Sequence, residues 1–113
     1  MKKDMSKQEI FDTVVTHLRK QNTQSGKGGN CFYRLGELKC AVGCLISDED
    51  YSPDMEMNAA NDLILSFAKL KHLRPHIDIL DDLQKIHDNA AVSHWESQFR
   101  LTAKVFGLEY VRP

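Results

Sequence analysis

Residues 30–56, NCFYRLGELKCAVGCLISDEDYSPDME, hold all three cysteines of the chain and its densest acidic run. Residues 31–34 and 38–42 read as two short strands around Leu35, Gly36 and Glu37. A two-residue loop (Leu35, Gly36) and a four-residue loop (34–37) give one register, with Cys31 opposite Cys40 and Tyr33 opposite Leu38. Those four side chains then share one face of a hairpin, while Phe32 and Lys39 share the other. A competing reading makes 39–46 a short buried helix with Ala41, Gly43 and Cys44 as small packing residues. The pattern predicts strand up to about Cys40 and helix thereafter, with Cys40 at the junction.

Helical signals flank this stretch. Ser6 with Glu9 is a capping box, in which hydroxyl and carboxylate satisfy backbone donors reciprocally. Ile10, Phe11, Val14, Val15 and Leu18 follow on one face. That helix is expected to end near Lys20, where a glycine-rich connector begins. Ser52-Pro53 reads as a helix start, followed by an apolar stripe of Ala60, Leu63, Ile64 and Phe67. Pro75 opens another helix with Ile79, Leu80, Leu83 and Ile86 facing inward. The last helix has a second capping box, Ser93 with Glu96, and a face of Trp95, Phe99, Ala103 and Phe106. Gly107 stops it, and Leu108 closes a left-handed cap. Trp95, Phe99 and Phe106 are expected to form core with Phe11 and Leu63. The fold class is therefore α+β: a mostly helical single domain, residues 1–113, of about four helices with one small β-hairpin around residues 31–42.

The bulk properties fit this picture. A chain of 113 residues, 42% hydrophobic and 27% charged, has the composition of a globular domain large enough for one core. No apolar run approaches the ~20 residues that cross a bilayer. The basic N-terminus leads into a mixed amphipathic segment unlike a secretory signal, so the cytoplasm and reduced thiols are expected. The net charge of −1 conceals a segregation: +4 over residues 1–40, −6 over 41–62 and +1 over 63–113. Such totals can steer a charged partner but are too small for a dedicated nucleic-acid binder.

Several constellations carry possible chemistry. Cys31, Cys40 and Cys44 with His72 or His76 offer soft ligands for zinc, but the Cys-x8-Cys-x3-Cys spacing lacks paired Cys-x-x-Cys knuckles. Buried packing thiols are the simpler reading. His87-Asp88 lies at a predicted helix end, where a histidine is stabilised by the C-terminal dipole without any chemistry. Asp48, Asp50, Asp54 and Glu56 alternate as calcium ligands do, yet Pro53 and Ala59 occupy the positions of the required glycine and bidentate glutamate. Residues 26–29, Gly-Lys-Gly-Gly, follow a helix and precede a strand, the reverse of a phosphate loop, and read as a flexible connector. No metal or other cofactor is expected.

The central segment resembles a family of small, mostly uncharacterised proteins of tailed bacteriophages, prophages and bacteria. These pair a Cys-x-Tyr-Arg strand with a Lys-Cys-Ala-[Val/Ile]-Gly run, then Leu-Ile-Pro-Asp-Glu-x-Tyr and an acidic Met-Glu. The matching residues are Cys31, Tyr33, Arg34, residues 39–43, Leu45, Ile46, Asp48, Glu49, Tyr51, Met55 and Glu56. Residues 83–88, Trp95 and residues 106–108 are also similar, whereas Ser47 stands where the family has proline. The resemblance implies an accessory protein that engages and inhibits or redirects a host factor, such as a defence system, and carries no established activity.

A non-enzymatic binding protein is therefore expected, with Tyr33, Arg34, Asp48, Glu49, Asp50 and Tyr51 as the partner-binding surface. Aromatics and an arginine beside acids suit an interface anchor with a charged rim. The partner would be a host protein with a basic surface, neither a membrane nor a nucleic acid. The alternative is a small enzyme or ligand-sequestering protein using Cys40 with His87 and Asp88. The two separate on whether those groups converge in a pocket.

Overall fold

The capping box at Ser6 forms as its spacing requires. In the computed structural model, which describes residues 4–27, 30–56 and 58–113, Ser6 Oγ accepts the Glu9 N–H at 3.1 Å. Glu9 Oε1 accepts the Ser6 N–H at 2.9 Å. Helix α1 (Lys7–Gln21) buries Ile10, Phe11, Val14, Val15 and Leu18, and ends on Asn22 in the left-handed region with φ 52°. Helices α2 (Ala60–Ser66), α3 (Ile77–Asn89) and α4 (Trp95–Phe106) complete the mostly helical domain, and α3 packs against all three others. The predicted stripe of α3, Ile79, Leu80, Leu83 and Ile86, is buried. Phe11, Leu63, Trp95 and Phe99 meet in the core, with Phe106 half-buried at its edge. The radius of gyration, 13.1 Å, matches the ~13 Å of a compact domain of about 100 residues.

Two short antiparallel hairpins lie between α1 and α2. Strand β1 (Gly26–Lys27) pairs with β2 (Asn30–Cys31), and β3 (Arg34–Leu35) with β4 (Leu38–Lys39). The register of the second corrects the expected one. Arg34 faces Lys39 and Leu35 faces Leu38, around a two-residue Gly36–Glu37 loop. Gly36 has φ 60°, a conformation that only glycine adopts without a Cβ penalty, and this places it first in the loop. Cys31 belongs to the first hairpin and faces Gly26 rather than Cys40. Part of the glycine-rich segment read as a connector is thus strand, and its residues 28 and 29 lie outside the described residues. After β4 the chain buries Cys40 and turns through a single 3₁₀ turn, Gly43–Leu45.

Three predicted helix starts come out differently. Ser52 caps only one 3₁₀ turn, Pro53–Met55. Propagation stops because Glu56 reaches away to accept the backbone N–H groups of Tyr33 at 2.9 Å and Arg34 at 3.1 Å. Pro75 sits inside a 3₁₀ stretch, Ala68–His76, that runs into α3. The second capping box does not form: α4 begins at Trp95, and no side chain caps it. Glu96 instead takes two bonds from Arg19, at 2.9 and 2.8 Å, and one from the Tyr110 hydroxyl at 2.7 Å. A bidentate charge-assisted pair outweighs one bond to a helix-terminal N–H. It also binds the chain's last segment to α1, since Arg19 donates to the Val111 carbonyl. At the C-terminus of α4, Gly107 adopts φ 67° and the Leu108 N–H reaches the Ala103 carbonyl at 2.8 Å, as the spacing predicts.

Candidate metal and ligand site

On α3, Leu80, Leu83 and His87 fall three and four residues apart on the buried stripe, while Gln84 and Asp88 share the adjacent face. His87 is therefore carried into the core, with 0% exposure, and its ring stacks on Trp95 at a centroid distance of 6.0 Å. Its Nδ1 lies 2.7 Å from Asp88 Oδ1. Gln84 Nε2 donates to the same oxygen at 2.9 Å, and Gln84 Oε1 accepts the Val42 N–H at 3.0 Å. Asp88 is thus oriented by two donors that converge on Oδ1, and neither commits its second oxygen.

Gln24, Ser25 and Cys31 lie against this end of α3. Gln24 Nε2 donates to the His87 carbonyl at 2.8 Å, which satisfies one of the free carbonyls of a helix end. The Ser25 N–H donates to His87 Nε2 at 2.9 Å, and the Ser25 carbonyl accepts the Phe32 N–H at 2.7 Å. These anchors place β2 so that Cys31 Sγ, a ring nitrogen of His87 and a carboxylate oxygen of Asp88 all lie within 4.8 Å of one another. Among the described residues this is the one group of three such ligand atoms. Burial, and then the Asp88 carboxylate, hold the Cys31 thiol above its ordinary value. A cavity of about 410 Å³ adjoins the cluster, lined in part by Cys31, Tyr33, Asn58, Asp81, Gln84 and Asp88.

The expectation of a protein without enzyme chemistry is overturned by this convergence. A thiol, an imidazole and a carboxylate beside a cavity form a donor set with metal-binding and catalytic capacity. His87 and Asp88 are the residues of the alternative reading, but the cysteine that joins them is Cys31. Cys40 is fully buried, its Sγ accepts the Gly43 N–H at 3.3 Å, and burial pushes its thiol up to about 12. Cys44 is partly covered and likewise pushed up to about 12 by burial. The reading of cysteines as packing thiols thus holds for Cys40 and fails for Cys31, which is exposed. His72 and His76 border a different cavity, beside Lys69 and Lys71, and meet no cysteine there.

Of the six residues read as a partner surface, Tyr33, Arg34 and Tyr51 bond to Glu56. Tyr33 is buried, with its hydroxyl bonded to the Asn58 carbonyl, and burial raises it well above the usual tyrosine value. Arg34 pairs with Asp48 at 2.6 Å, donates to the Ile46 carbonyl at 2.6 Å and lies over the Tyr51 ring at 4.8 Å. The Tyr51 hydroxyl donates to Glu56 at 2.6 Å and is pushed up to about 12, by burial and then by that carboxylate. Asp50 is 8% exposed, whereas Asp48 and Glu49 face solvent. No helix among the described residues is long and apolar enough to cross a membrane. No protein-family model, curated protein or solved structure matches this chain.

Proposed function

We propose that this domain binds a thiophilic divalent cation of the zinc class through Cys31, His87 and Asp88, and takes a small ligand from the adjoining cavity at the ion's remaining position. The observation that carries this reading is the convergence of the three ligand atoms within 4.8 Å. Sulfur, imidazole and carboxylate together suit zinc, whose ligand atoms stand roughly 3.5 Å apart when it is tetrahedral. Small shifts of side chains at the cavity edge meet that spacing. Three protein ligands with one open position are the arrangement of catalytic zinc sites, whereas structural sites are closed by four. Gln84 supports the reading because it orients Asp88 from outside the cluster, as partners of metal ligands do.

Isothermal titration of the full chain with zinc tests the proposal. One ion per chain is expected. Cys31→Ser and Asp88→Asn should each weaken binding at least about tenfold, while Cys40→Ser leaves it unchanged. Absence of binding, or equal affinity in Cys31→Ser, overturns the reading.

A second reading is supported by the surface. Asp48 and Glu49 project from a segment braced by Arg34, Tyr51 and Glu56. Together with the resemblance to phage proteins, this favours contact with a basic host protein. Its signature is association that slows as salt rises and when Asp48 and Glu49 are reversed to lysine.

A further inference from the structure

The hydrogen bonds of His87 require a partner for ion binding that the three ligands do not include. An ionised carboxylate only accepts, so the 2.7 Å contact with Asp88 places the imidazole proton on Nδ1. Nε2 is then the acceptor, and it takes the Ser25 N–H at 2.9 Å. Nδ1 is the nitrogen that faces Asp88, and it must present a lone pair to hold an ion. A neutral ring that does so carries its proton on Nε2. Two N–H groups, those of Ser25 and His87, would then point at each other inside the core, where neither reaches water.

Ser25 itself holds the remedy. It is 0% exposed, and its Oγ finds no hydrogen-bond partner among the described residues. A buried hydroxyl without a partner is costly to keep, and such groups call for a role. It sits on the residue whose backbone already touches Nε2, so rotation of one side chain or a small shift of the segment brings it to that nitrogen.

Resting on the metal reading, we propose that Ser25 is a positioning residue with two settings. Its N–H holds the ion-free His87 tautomer, and its hydroxyl accepts the Nε2 proton when Nδ1 turns to the ion. Metal-bound histidines regularly place their second ring N–H on such an acceptor, which fixes the ring and strengthens the ligand.

The test is zinc titration of the full chain as wild type, Ser25→Ala and Ser25→Thr, with ¹⁵N NMR of the His87 ring before and after zinc. Ser25→Ala keeps the backbone N–H, so its ion-free stability should equal or exceed that of the wild type. Its zinc affinity should fall about ten- to a hundredfold, and Ser25→Thr should restore it to within a few-fold. In the wild type the ring proton should pass from Nδ1 to Nε2 on zinc binding. Equal affinity in Ser25→Ala overturns this proposal alone, whereas a proton that stays on Nδ1 in the zinc form overturns it together with His87 as a ligand. Wild-type protein that takes up no zinc overturns the site as well.

Discussion

Replacing Glu56 by alanine is expected to destabilise the domain by about 3–5 kcal/mol, far more than a surface acid normally does. The Glu56 carboxylate accepts three hydrogen bonds, from the Tyr33 N–H, the Arg34 N–H and the Tyr51 hydroxyl. A bond to a charged acceptor contributes roughly 1.5–3 kcal/mol, and a half-buried backbone donor left without one keeps much of its desolvation cost. The Tyr51 hydroxyl can turn to solvent and accounts for about 1 kcal/mol, so the two backbone donors dominate. Because the three bonds share one carboxylate, they do not add fully. At about 4 °C per kcal/mol for a domain of this size, the melting temperature should fall by roughly 12–20 °C. Thermal and urea unfolding followed by circular dichroism measure this. Tyr51→Phe should lose only about 1 kcal/mol, and Glu56→Gln, which keeps one acceptor oxygen, should fall between the two. A loss below about 1 kcal/mol in Glu56→Ala, or one no larger than in Tyr51→Phe, would refute the account of Glu56 as the tie between the second hairpin and the 51–56 segment.

Gly43→Ala should cost at least about 2 kcal/mol, since a Cβ there would stand 2.0 Å from the Tyr33 carbonyl oxygen and the backbone has to move; wild-type urea stability in this variant would show that the 3₁₀ turn and the second hairpin are not in contact. Arg19, by hydrogen bond and then by charge, holds the Glu96 carboxyl below its ordinary 4.5. The stability from this pair is accordingly full above 4.5 and lost as the pH falls through the depressed value. Glu96 is more than a third open, so the amount is about 1 kcal/mol or less. The stability difference between wild type and Glu96→Gln, followed by urea unfolding against pH, should shrink to nothing in acid; a difference that persists there would exclude the ion pair as its source. Asp50→Lys should destabilise by over about 2 kcal/mol, because the position is buried, while Asp48→Lys and Glu49→Lys should each stay within about 1 kcal/mol; equal effects at all three positions would contradict the burial of Asp50.

Local sequence signals determined most of the helical part of this protein. The apolar stripes of α1, α3 and α4, the Ser6–Glu9 box and the Gly107 stop are local features, set by contacts within a few residues, and the spacing of side chains states them directly. Competition with distant groups decided two of the other helix starts. Ser93 with Glu96 satisfies the pattern of a cap, but Arg19, 77 residues away, binds Glu96 more strongly. Glu56 likewise leaves the Ser52-Pro53 turn for two backbone donors more than 20 residues earlier.

The site divides in the same way. His87 and Asp88 were legible as a pair, and the four-residue spacing from Leu83 to His87 marks a histidine on the buried stripe. Which cysteine meets them was not legible. Cys31 and Cys40 are equivalent in composition and in local pattern, and the choice rests on the hairpins: Cys31 pairs with Gly26 in the first, while Cys40 follows the second. Cys40 turns into the core, and Cys31 stands at the edge of the cavity, beside the end of α3. A helix repeats its face every turn, so its sequence reports which residues are inside. Two-residue strands contain too few alternations to report their partners, and only the folded chain, through the bonds of Gln24 and Ser25 to α3, brings the thiol to the imidazole and the carboxylate.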